Sequence, residues 1–137
     1  MIHASYSLEE TIEHMLCLPA EFRLRGSASL ALLAESTGYL QYQDTIDVDR
    51  LRAAIRERQG LVDSWLVYSA EKQADWGWFF EGPDGGIYLT GSRRDSIDGP
   101  KQLSDPGEAC ACFIKGEFVS LLGHYHRGAA PAERACG

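Results

Sequence analysis

The chain contains no apolar run approaching the ~18 residues that a bilayer-spanning helix requires. Its opening, Met1-Ile2-His3-Ala4-Ser5, has no basic stretch followed by an apolar one. These absences set the expectation of a cytoplasmic protein without membrane contact. Basic residues are also in short supply, with 13 Lys and Arg against 20 Asp and Glu and a formal charge of −7. Nucleic acids and anionic membranes are held through clustered Lys and Arg, so neither is an expected partner. The four cysteines, Cys17, Cys110, Cys112 and Cys136, are too few and too unevenly spread for the disulfide framework of a small secreted domain. They read as reduced thiols.

Catalytic signatures are missing as well. There is no Gly-x-Ser-x-Gly elbow, no Gly-x-x-x-x-Gly-Lys phosphate loop, no His-Glu-x-x-His and no Gly-x-Gly-x-x-Gly. The expectation is a non-enzyme with no cofactor and no catalytic residues. The strongest metal pattern is Cys110-x-Cys112 followed by His124-x-His126. Residues two apart on a helix point about 200° away from each other, so an intact helix keeps the two thiols from sharing one ion. No metal site is expected, and at least one of these cysteines reads as a small core residue.

What is present is an ordinary globular composition, 45% apolar and 24% charged over 137 residues. That length suits one domain, which buries roughly two-thirds of its unfolded surface. Ser7-Leu8-Glu9-Glu10 is a capping box, predicting a helix from about Leu8 to Leu18 that Pro19 ends. A second helix is expected from Ala28 to about Thr37, with Ser27 as cap and Gly38 as its C′ residue. Tyr39 to Gln43 reads as extended. Asp47 caps a third helix, Val48 to Gln59, which Gly60 stops. Ser104-Asp105-Pro106-Gly107-Glu108 combines a cap, an early proline and a first-turn acid. It begins a helix of about 106–122 whose Ala109, Cys112 or Phe113, Phe118, Leu121 and Leu122 face a sheet.

That sheet is read from residues 61–91. Leu61 to Ser69, Trp76 to Glu81 and Ile87 to Thr90 are apolar, aromatic and β-branched runs separated by polar or Gly/Pro-rich connectors, the pattern of an antiparallel β-meander. A further short strand ends near Leu103. The fold class is therefore α+β: a meander at about 61–91 packed by N-terminal helices and one long C-terminal helix. A single domain spans 1–123, and 124–137 is a tail without periodicity.

The charge is uneven. Residues 1–49 hold eight acids against Arg23 and Arg25, net −6, while residues 50–137 are at −1. Such a field favours a basic partner. Asp44 and Asp49 in the acidic third, and Asp75, Glu81 and Asp84 around the meander, are the candidate partner-binding carboxylates. Trp76 and Trp78 join them, because aromatic side chains turned away from a core anchor interfaces.

Four segments also resemble a known group. Ser36-Thr37-Gly38-Tyr39, the run Leu61 to Lys72, Trp76-Gly77-Trp78-Phe79-Phe80 and Ser104 to Ile114 are similar to small bacterial immunity proteins of polymorphic toxin systems, over about residues 30–122. The resemblance implies a compact α+β domain that binds and neutralises a cognate toxin, without catalytic residues. Two other readings stand beside it. One is a small-molecule-binding or regulatory domain whose pocket is walled by Trp65, Tyr68 or Trp78. The other is a hydrolase or transferase using Cys112 or His124.

Overall fold

Helix α7, Pro106–Leu122, runs through the middle of the molecule, and eleven of its seventeen residues are buried. A helix apolar around its whole circumference must be enclosed on every side, and Ala109-Cys110-Ala111-Cys112-Phe113-Ile114 is continuously buried. The sheet meets α7 on one side, and the helices described below contribute the rest of its enclosure. Asp105 starts it, its carboxylate accepting from the Gly107 amide with Pro106 in the first turn. The computed structural model describes residues 6–25, 30–72, 78–92 and 100–123.

The N-terminal half is helical. α1 spans Leu8–Leu16 and carries the expected capping box, with Ser7 and Glu10 bonding reciprocally. It ends two residues earlier than expected, and α2, Leu18–Arg25, starts at once. Pro19 ends one helix but also sits in the first turn of the next, where its missing N–H costs nothing. α3 covers Leu30–Glu35; its expected Ser27 cap lies outside the described residues. Gly38 turns the chain with φ +91°, donating its amide to the Glu35 carbonyl. The extended segment expected at Tyr39 to Gln43 is instead a single helical turn, α4, Tyr39–Tyr42. A helical turn buries Tyr39 against Phe118 while Tyr42 reaches back to the Tyr6 carbonyl. α5, Val48–Arg56, is capped by Asp47 and lays Leu51 and Ile55 into the core. Gly60 does not stop a helix but begins one.

That helix is the main correction. Leu61 to Ser69 is not the first strand of the meander: it lies in α6, Gly60–Glu71. The residues it buries, Val62, Trp65, Tyr68 and Ser69, recur at three- and four-residue spacing, which one helix face satisfies and one strand face does not. The three-stranded antiparallel meander exists further along the chain: β1, Trp78–Asp84, β2, Ile87–Ser92, and β3, Lys101–Leu103, in the order β1-β2-β3. Phe80 pairs with Thr90 and Tyr88 with Leu103. Alternation then places Trp78, Phe80, Tyr88, Thr90 and Leu103 on the face toward α7, and Phe79, Glu81, Ile87 and Leu89 on the other. Phe80 stacks on Phe113 of α7 and on Tyr88. The class is α+β, as the sequence suggests. Among the described residues, no helix is long and apolar enough to cross a membrane.

Candidate functional site

Two kinds of polar feature are built into this frame. The first is internal. Glu117 is fully buried in the middle of α7. Its Oε2 accepts from the Tyr68 hydroxyl at 2.7 Å and its Oε1 from Lys72 Nζ at 2.5 Å. The Trp78 amide reaches the same Oε1 at 3.4 Å. The Lys72 side chain is 2% exposed, its ammonium 5.8 Å from the Tyr68 ring and 5.7 Å from the Phe113 ring. Burial, and then the charge of Glu117, push the Tyr68 phenol far above its ordinary range. One carboxylate thus ties the last turns of α6 to the first residue of β1. Sequence reading missed this group because Tyr68 and Lys72 are separated from Glu117 by 49 and 45 positions; the available signal was Glu117 falling in the apolar second half of α7, past the first-turn Glu108.

The second feature is external. All six residues from Glu81 to Gly86 are exposed at the turn of the β1–β2 hairpin. Its backbone is set by positive-φ glycines at 82, 85 and 86 and by a register shift between Glu81 and Asp84. A Cβ on Gly82 would stand 3.0 Å from the Ile87 carbonyl oxygen and the Tyr88 Cα, so only glycine fits. Neither Glu81 nor Asp84 forms an ion pair with a described residue. Asp44 and Asp49 are exposed around the start of α5, forming a second acidic group. Asp75 and Trp76 lie outside the described residues. Trp78 is half-buried, its indole laid over Gly116 of α7.

The cysteines are placed by packing. Cys110 and Cys112 are both buried, and burial raises the Cys110 thiol above its ordinary value. Cys17 is intermediate in exposure, raised by burial and then by the charge of Glu13. No cluster of ligand-type side chains that could hold a metal occurs among the described residues; His124 and His126 lie outside them. Trp65 and Tyr68, the supposed pocket wall, are core rings packed edge-on to each other, with Trp65 also edge-on to Phe113.

No family model, curated protein or solved structure matches the chain.

Proposed function

We propose that this protein is a non-catalytic immunity protein that binds a cognate bacterial toxin, itself basic, through an acidic surface. The proposal starts from the resemblance of residues 36–39, 61–72, 76–80 and 104–114 to such proteins and from the charge of −7. The observation that carries it to a surface is the β1–β2 hairpin, whose turn exposes two carboxylates, Glu81 and Asp84. Exposed carboxylates attract a cationic cleft over a Debye length of about 8 Å at physiological salt. Asp44, Asp49, Asp75 and Trp76 complete the proposed contact set; Trp78, expected as an outward anchor, instead packs its indole over Gly116 against the core.

The test is genetic and then physical. Co-expression with the toxin encoded beside the gene restores growth, and the two proteins co-purify. Neighbouring genes that encode no toxin, together with no co-purifying partner, overturn the reading.

A further inference from the structure

Given the immunity function proposed above, on which this rests, we infer that the toxin docks on the outer face of the sheet at its hairpin end. Leu89 and Ile87 anchor it there, and Glu81 and Asp84 form the charged margin.

The strand register sets two acid–aliphatic pairs side by side. Glu81 stands opposite Leu89 and Asp84 opposite Ile87, and side chains directly opposite on one face are near neighbours. Alternation turns these pairs away from α7. The packing agrees with the register: Trp78, Tyr88 and Leu103 lie against the core, whereas the half-buried Ile87 and Leu89, on either side of Tyr88, do not. They are aliphatic side chains that the core does not use.

The two ends of this face differ. A Cβ on Gly91 would meet the Pro100 Cα at 3.2 Å and the Phe79 ring at 3.7 Å, so the chain entering β3 lies over the end away from the hairpin. At the hairpin end, Glu81 and Asp84 are exposed and form no ion pair with a described residue.

Charge decides the occupant. The nearest cation in register, Lys101, stands opposite Thr90, which is buried on the α7 side, so the carboxylates leave the patch net negative. A second copy docked here would set like charges against each other, because a two-fold interface uses the same patch twice. An anionic membrane is repelled for the same reason. A cationic protein surface with an apolar centre matches both the carboxylates and the aliphatic pair. The two kinds of side chain then divide the binding between them. Leu89 and Ile87, desolvated in the complex, set how slowly it dissociates, while Glu81 and Asp84 set how fast the partner arrives.

The toxin encoded beside the gene is the probe. Leu89→Ala and Ile87→Ala are expected to weaken its binding about tenfold, through faster dissociation, with the association rate changed by less than about threefold. Leu24→Ala, at a position 80% exposed on α2, is expected to bind as the parent does. Where an alanine variant fails to fold, cross-saturation NMR on the unmodified protein decides: saturation passing from bound toxin to the Ile87 and Leu89 methyls supports the docking face. Alanine variants that bind as tightly as the parent, or methyls at 87 and 89 that receive no saturation, overturn the docking face and leave the immunity function standing. A protein that binds no toxin overturns both. Self-association that rises with concentration and is abolished by Leu89→Ala also overturns the docking face, since a second copy would then be its occupant.

Discussion

The indole of Trp78 occupies the space that Gly116 leaves by having no side chain: a Cβ there would lie 2.3 Å from the ring. Gly116 is buried in mid-helix, where glycine is about 1 kcal/mol worse than alanine. Its presence is explained by the ring, and by the entry of β1 that the ring fixes. Gly116→Ala is therefore expected to destabilise in spite of its better helix propensity. Overpacking costs about 1–3 kcal/mol, which exceeds the propensity gain when a rigid indole must be displaced. Denaturant unfolding, together with a shifted Trp78 indole NMR signal, checks this; a variant more stable than the parent refutes it.

Tyr68 makes alkaline stability measurable. Its ordinary value is 10.0 and burial beside Glu117 raises it, so the folded protein keeps the phenolic proton while the unfolded chain releases it. The unfolded state then binds fewer protons above about pH 10, and stability falls as pH rises; below that pH the contribution is fully present and flat. Tyr68→Phe is expected to be less stable at neutral pH, by about 1–3 kcal/mol for the lost bond to a buried carboxylate, with a shallower decline above pH 10. Parallel urea titrations at pH 7 and above pH 10 give the comparison.

Lys72→Met alone leaves the Glu117 charge buried without its cation. Removing one partner of such a pair costs about 3–5 kcal/mol, more than the joint replacement of both. A double-mutant cycle in urea tests this, and additive effects of the two substitutions would exclude direct coupling.

Charge reversal on the hairpin separates binding from folding. Glu81→Lys and Asp84→Lys sit at fully surface-facing positions, so stability changes should stay within about 0.5 kcal/mol. Affinity for the co-purified partner should fall at least tenfold, with most of the loss in the association rate and in its salt dependence. Unchanged affinity for both variants would remove the hairpin from the interface.

Thiol labelling reports the cysteine environments. Among the described cysteines, Cys17 is expected to react well before Cys110 and Cys112, whose modification requires the core to open. Mass spectrometry after a brief exposure to iodoacetamide in native buffer, with denatured protein as reference, reads the order directly.

Much of the fold is written locally. The capping box at Ser7 and Glu10, Asp47 at the head of α5, and Asp105-Pro106 at the head of α7 are short-range hydrogen-bonding patterns that need no tertiary partner to be recognised. The hairpin turn at Gly85-Gly86 is equally local, because positive φ is a property of glycine itself. The exposed carboxylates at Glu81 and Asp84 follow from that turn. Residues 61–69 are the opposite case, where β-branched and aromatic content suggests a strand and the buried positions obey a helical period.

The sequence by itself determined the α+β class, the starts of α1, α5 and α7, the two later strands, and the acidic charge, because each depends on neighbours a few residues apart or on composition alone. Only the tertiary structure decided that α7 is enclosed on all sides, that Trp78 faces Gly116, and that 60–71 is a helix. Those outcomes depend on groups 38 to 49 positions apart, Gly116 with Trp78 and Glu117 with Tyr68 and Lys72. Burial made each of those contacts decisive, and burial is a property of the assembled core.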